Sequence, residues 1–179
     1  MSKKYVFTEK DYNSGDGMIT SIWGPPMWHI LHTISFNYPV NPTEEQKKYY
    51  YKFYHNLKNI LPCKYCRDNL KNNLKKLPMT MDVFKSRETL SRYIYDLHEC
   101  VNTMLGKKSG LSYEDVRERY ENFRSRCLSN PKIKGIESGC TEPKYGVKSK
   151  CVLNIVPRDE RKKSLKIDPR CKITIKPHN

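Results

Sequence analysis

The chain is 179 residues long and 37% apolar, with thirteen tyrosines, seven cysteines and 34 Lys and Arg against 19 Asp and Glu, a formal net charge of +15. That length allows one domain of roughly 120–150 residues plus an appendage, and the low apolar content favours a compact helical core over a large sandwich. No apolar run approaches the roughly 20 residues that cross a bilayer, and Met1-Ser2-Lys3-Lys4-Tyr5 is not followed by the apolar stretch of a signal peptide. The expectation is a soluble protein made in the cytosol.

Residues 1–20 read as a polar lead-in, loosened by Gly15 and Gly17. Trp23-Gly24-Pro25-Pro26 reads as a turn at a helix entrance, where the missing proline N–H groups cost nothing. A first helix is predicted from about Met27 to Tyr38, stopped by Pro39. Thr43-Glu44-Glu45-Gln46 is a capping box opening a second, to about Ile60, with Tyr50, Phe53, Tyr54 and Leu57 on one face. Pro62 opens a third helix that starts at Cys63 and reaches about Lys75, and 78–85 is a connector. Ser86 caps a fourth, from Arg87 to Leu105, with Leu90, Ile94, Leu97, Val101 and Leu105 at helical spacing and Gly106 as its stop. Ser112 caps a short fifth helix to about Cys127. Beyond Pro131, Gly, Pro and Lys multiply, and two alternations, Cys151 to Val156 and Cys171 to Ile175, have the period of strands.

The expected fold is all-α: a four-helix bundle with a short fifth helix and an extended tail holding at most a small β-hairpin. The expected divisions are a lead-in over 1–20, a core domain over 21–128 and a basic tail over 129–179. Residues 141–179 carry eleven Lys or Arg against four Asp or Glu, a net +7. Such a tail suits an acidic partner, whether nucleic acid, a virion protein or another acidic surface; simple solubility is the plainer account.

The chemistry concentrates at Cys63-Lys64-Tyr65-Cys66. Two thiols three residues apart can form a disulfide or hold a metal, and at a helix start the macrodipole favours thiolate. Trp28, His32 and Phe36 lie along one helix stripe upstream, and His98 and Asn102 one turn apart downstream. Each set alone is ordinarily core or a satisfied polar contact. Together with the thiol pair they suit a planar heteroaromatic cofactor, which needs stacking faces and a few fixed hydrogen-bonding groups. A zinc-binding module using Cys63, Cys66, His98 and Cys100 is the alternative, weakened because His98 and Cys100 point about 200° apart on a helix. A virion or nucleic-acid interaction protein built on the same scaffold is another, although no nucleic-acid motif is present.

Trp28-x-x-Leu31-His32, Tyr38-Pro39, Leu61-Pro62-Cys63-x-x-Cys66 and His98-x-x-Val101-Asn102-x-x-Leu105-Gly106-Lys107 follow in an order that resembles the Erv/ALR family of FAD-linked sulfhydryl oxidases over about residues 22–126. The resemblance implies a bundle cradling FAD beside a redox-active Cys63–Cys66 pair, with Cys66 nearest the flavin and Cys63 meeting the reductant. A residue at a helix mouth is expected to be exposed, and one a turn inside to be shielded. Electrons would pass from protein dithiols through the pair to FAD and then to O2, giving H2O2. Gly24, Trp28, His32 and Phe36 would line one side of the cofactor, and His98, Val101, Asn102, Leu105 and Lys107 the other. Arg119 and Tyr120 would reach its adenine end, with no metal involved and a homodimer as the assembly.

The chain departs from the family at Glu99, where asparagine is common, and at Tyr95 and Ser112, where many cellular members carry a structural disulfide. Losing that bridge, commonly ~2–4 kcal/mol, must be offset by cofactor and dimer packing. Short oxidases of large cytoplasmic DNA viruses are similar in lacking it. The Lys/Asn/Tyr-rich composition adds to an expected viral origin, with the host cytoplasm or virion as location, or the mitochondrial intermembrane space if cellular. Any second redox pair would use distant cysteines such as Cys127 and Cys140, and Cys151 with Cys171 would suit a hairpin bridge.

Overall fold

The computed structural model describes residues 7–128, 139–152, 155–157 and 168, and forms two compact units, Met1–Ser109 and Gly110–Asn179. The first holds a four-residue helix, α1 (Glu9–Tyr12), and four longer ones: α2 (Thr20–Phe36), α3 (Glu44–Ile60), α4 (Lys64–Lys76) and α5 (Arg87–Met104). A 3-10 turn, Met81–Phe84, lies in the 78–85 connector. α2 packs on α5, α3 on α4 and α4 on α5, while the 3-10 turn seats against α3 and α5.

The caps read from sequence are in place. Thr43 accepts from the Gln46 amide, and Ser86 accepts from the Thr89 amide. Gly106 follows α5 with φ +65°, the left-handed conformation that favours glycine.

One expectation is overturned at the bundle's entrance. Trp23-Gly24-Pro25-Pro26 is not a turn; it lies inside α2, which begins at Thr20. The prolines sit in its second turn and remove the amides that would bond Ser21 and Ile22. The entrance is tied down differently: Ile22 N–H donates to Ile19 O at 3.0 Å, and Trp23 Nε1–H donates to Met18 O at 2.9 Å.

The core gathers Leu31, Tyr38, Tyr54, Leu57, Leu70, Phe84, Leu90, Tyr93, Ile94 and Leu97. Of the stripe expected on α3, Tyr54 and Leu57 are buried, whereas Phe53 is largely exposed. Burying tyrosine is tolerated because each hydroxyl finds a carbonyl: Tyr38 on Phe84 O at 2.9 Å, Tyr54 on Leu31 O at 2.9 Å and Tyr93 on Leu77 O at 2.8 Å. These bonds tie separate elements together and account for part of the tyrosine-rich composition.

The second unit contains α6 (Tyr113–Glu121), capped by Ser112, and a two-stranded antiparallel sheet of β1 (Ser125–Leu128) and β2 (Gly139–Pro143). The fifth helix therefore ends six residues before Cys127, and the chain from Ser125 turns into strand. A disulfide joins Cys127 to Cys140 across the strands. The small hairpin exists, but not where the alternations suggested. Cys151–Val152 and residues 155–157 are not strand, Cys151 is an exposed free thiol, and Cys171–Ile175 lies outside the described residues. No helix among the described residues is long and apolar enough to cross a membrane.

Ile94 is fully buried at the middle of α5. Ile94→Ala should lower unfolding free energy by about 2–4 kcal/mol in a denaturant titration of the full chain. A loss below about 1 kcal/mol would show that α5 is not the spine of the core.

Candidate active site

Cys63 is the N-cap of α4, with extended backbone at φ −156° and ψ 125°. Its sulfur accepts the Cys66 amide at 3.3 Å, the role a serine or aspartate oxygen usually fills. Burial works against ionisation of this thiol. The Cys66 side chain, the Cys66 and Tyr65 amides and the Thr20 hydroxyl together outweigh it, and the Cys63 pKa falls below the usual thiol value. Cys66 goes the other way: burial first, then the Cys63 side chain, push it up. The pair thus places thiolate character on the sulfur at the helix mouth.

The exposure pattern corrects the sequence expectation. Cys63 is buried, at 7% exposure, while Cys66 is half-buried. The cause is the lead-in, which is folded against the helix mouth. Met18 N–H donates to Pro62 O at 2.8 Å, and Lys64 N–H donates to Gly15 O at 3.1 Å. Gly17 lies so close at φ +72° that a Cβ there would fall 2.0 Å from Pro62 O and 3.1 Å from Cys63 Cα.

On the other side of the pair, Thr20 Oγ1 lies 3.8 Å from Cys66 Sγ. Thr20 begins α2, so the helix that touches Cys66 also carries Trp28 about 12 Å further along at 1.5 Å per residue. The Trp28 ring stacks on His98 from α5, centroids 4.0 Å apart and planes 6° from parallel. His32 Nε2 and His98 Nδ1 are 3.0 Å apart, one donating to the other. Phe36 stacks below His32 at 6.4 Å. Trp28, His32, Phe36 and His98 are therefore brought together at the α2–α5 seam.

The remaining expected positions are more scattered. Asn102 donates through Nδ2 to Glu99 Oε1 at 2.8 Å, and its carbonyl accepts the Lys107 amide at 2.8 Å, closing the turn after α5. Glu99, a departure from the family pattern, thus orients Asn102. Val101 is half-buried, Leu105 and Lys107 are exposed, and Gly24 lies in α2 a turn beyond Thr20. Arg119 and Tyr120 are on α6 in the second unit, where Tyr120 meets Phe123 edge to face. Thr20, Gly15 and Gly17 were not singled out as site residues. Gly15 and Gly17 are a visible signal, but composition does not distinguish a slack linker from a backbone forced into close approach.

Among the described residues, no three of His, Cys, Asp or Glu come together to hold a metal ion, so the zinc alternative has no ligand set. Both seam imidazoles are held neutral. Burial, helped by His98 and His29, pushes His32 down to about 3. Burial also brings His98 down to about 4, with Glu99 opposing and Lys107 assisting. The unfolded chain takes up protons near pH 6.5 that the folded chain refuses. This contribution to stability is therefore whole above about pH 6.5 and is lost as pH falls toward about 4. Urea midpoints should drop across that window, and His98→Asn should flatten the drop; a His98→Asn profile parallel to the original would remove His98 from the account.

A sequence model of the Erv1/Alr family matches residues 25–121. A mimivirus protein (Acanthamoeba polyphaga mimivirus) named "Probable FAD-linked sulfhydryl oxidase R368" is 41% identical over 99 residues, 55% of this chain and 68% of its own. The mitochondrial FAD-linked sulfhydryl oxidase erv1 of Schizosaccharomyces pombe is 34% identical over 84 residues, 47% of this chain but 46% of its own length. Among solved structures, the FAD binding domain of Erv1 from Saccharomyces cerevisiae superimposes with a TM-score of 0.52 at 26% identity, covering 57% of this chain and 94% of that one.

Proposed function

The chain belongs to the Erv1/Alr family, and from that premise we propose that it is an FAD-dependent thiol oxidase whose Cys63–Cys66 pair forms disulfides in protein substrates. The overall reaction is dithiol plus O2 to disulfide plus H2O2. The observation that carries the reading is the thiol pair at the α4 mouth, in contact with α2, whose Trp28 and His32 meet His98 of α5.

The residues fit FAD. The parallel Trp28 and His98 rings offer flat π faces, and two neutral imidazoles offer hydrogen bonds without a charge to repel or protonate a heteroaromatic ring. Gly24, Trp28, His32 and Phe36 on α2 and His98, Val101, Asn102, Leu105 and Lys107 at the end of α5 would hold it. When bound, FAD would supply a two-electron acceptor.

The chain's own residues handle the thiol exchange. A substrate thiolate attacks Cys63 Sγ of the oxidised pair, and the electron pair of the broken bond leaves on Cys66 Sγ. The Cys66 amide that bonds Cys63 Sγ in the dithiol state favours negative charge there, so Cys63 is also a good leaving group when the substrate's second thiol closes its disulfide. Thr20 Oγ1 lies within hydrogen-bonding reach of Cys66 Sγ, at 3.8 Å. Cys127–Cys140 is the bonded pair available for a relay.

Exposed Ile22 and Ile30 on α2, with Tyr49 and Phe53 on α3, support a homodimer, since a second copy would cover them. The net charge of +15 supports an acidic partner. Relatives named from a virus and from mitochondria suit either the host cytoplasm or virion, or the intermembrane space.

The test is the absorbance of purified protein before and after anaerobic addition of a dithiol: a band near about 450 nm should be present and should bleach. Cys66→Ser should keep the band and lose dithiol-dependent oxygen uptake. Trp28→Ala and His98→Ala should lower flavin retention. Full oxygen uptake by Cys66→Ser would refute the electron path.

A further inference from the structure

The strap formed by Gly15–Met18 occupies a place that chemistry would assign to something else. Extended Cys63 sets Pro62 C=O and Lys64 N–H on the same side of the chain, two residues apart. An acceptor and a donor so spaced can be engaged by a neighbouring extended segment, and the strap that engages them runs antiparallel, Met18 opposite Pro62 and Gly15 opposite Lys64. Here the pair is satisfied internally, by Met18 N–H at 2.8 Å and Gly15 O at 3.1 Å. Both groups flank the attacked sulfur. A peptide backbone bonded to them would run directly across Cys63.

We propose that Pro62 and Lys64 form a backbone-recognition subsite for extended dithiol polypeptides, and that the Gly15–Met18 strap is its internal placeholder, displaced when substrate adds as a strand. The proposal rests on the thiol-oxidase reading and names its substrate class: unfolded or extended segments with two cysteines, not thiols set in a rigid folded surface. Strand addition gives affinity through main-chain bonds and needs no particular side chain beyond the cysteines.

Three features make the strap displaceable yet specific. Its residues are exposed on their outer side, so little apolar burial holds it. Its close approach depends on one residue, Gly17, whose φ of +72° and contact with Pro62 O no other side chain can meet. It is anchored beyond the groove by Trp23 Nε1–H on Met18 O at 2.9 Å, so it can leave Pro62 and remain tethered.

The exchange balances without a further reactant. The bound peptide's first thiolate attacks Cys63 Sγ, the Cys63–Cys66 bond breaks, and the electron pair leaves on Cys66 Sγ. The second peptide thiol gives its proton to solvent and attacks the first peptide sulfur, and the pair leaves on Cys63 Sγ. The peptide loses two electrons and two protons, and the protein pair becomes a dithiol.

Gly17→Ala in the full-length, flavin-loaded protein tests this, with two substrates: dithiothreitol and an unstructured Gly/Ser peptide carrying one Cys-x-x-Cys. Releasing the strap uncovers Cys63 for both substrates, so dithiothreitol should react faster, but only the peptide gains the backbone subsite, and its KM should fall by about three- to tenfold more than that of dithiothreitol. Equal shifts for both substrates, or no shift for the peptide, would overturn the subsite. If Gly17→Ala does not fold, hydrogen exchange on the unsubstituted protein decides. With the Ser-x-x-Ser analogue of the peptide, the Met18 amide should lose protection while Lys64 keeps it; retained protection at Met18 would overturn the proposal. Failure of dithiothreitol itself to bleach the flavin would instead sink the thiol-oxidase reading.

Discussion

The start of α4 is the constraint on which the site depends. A helix leaves its first amides without internal partners, and here a sulfur and a folded-back strap take them. Cys63 Sγ accepts the Cys66 amide, Gly15 O accepts the Lys64 amide, and Cys63 O receives Arg67 N–H at 3.1 Å. Capping of the helix and the electrostatics of the thiol pair are thus one arrangement. The bonds that let the helix begin also make Cys63 easier to ionise and leave Cys66 the more reluctant acid.

α2 extends that constraint across the bundle. Its first residue touches Cys66, its middle carries Trp28 and His32, and its packing on α5 brings His98 within hydrogen-bonding distance of His32. The seam is polar in composition but uncharged in practice, because desolvation prevents the imidazoles from ionising. Buried tyrosines bonded to carbonyls of other elements supply cross-ties in the bundle.

The second unit has its own staple. Cys127–Cys140 spans the two short strands, while Arg124, paired with Glu121, follows α6 and accepts the Lys144 amide on its carbonyl at 2.8 Å. A two-stranded sheet is marginal by itself in water, so a covalent tie across it matters more than it would in a wide sheet.

The bundle was legible from the chain because its signals are local. Thr43, Ser86 and Ser112 cap within three residues of themselves, Leu90, Ile94 and Leu97 repeat with the helical period, and Cys63 and Cys66 are neighbours by spacing alone. The errors arose where a local rule met a distant partner. Two prolines and a glycine read as a turn, yet α2 runs through them, with its entrance secured by Met18 and Ile19. Gly15 and Gly17 read as slack; Gly17 is a glycine because Pro62, 45 residues beyond it, comes too close for a Cβ, whereas a Cβ on Gly15 would meet only the Lys64 side chain, at 3.3 Å. Sequence by itself determined the four long helices and α6 and set Cys63 and Cys66 one helical turn apart, since periodicity, capping and short spacing are properties of adjacent residues. Only the tertiary structure decided that Cys63 is covered and Cys66 is not, because exposure depends on what the rest of the chain folds against.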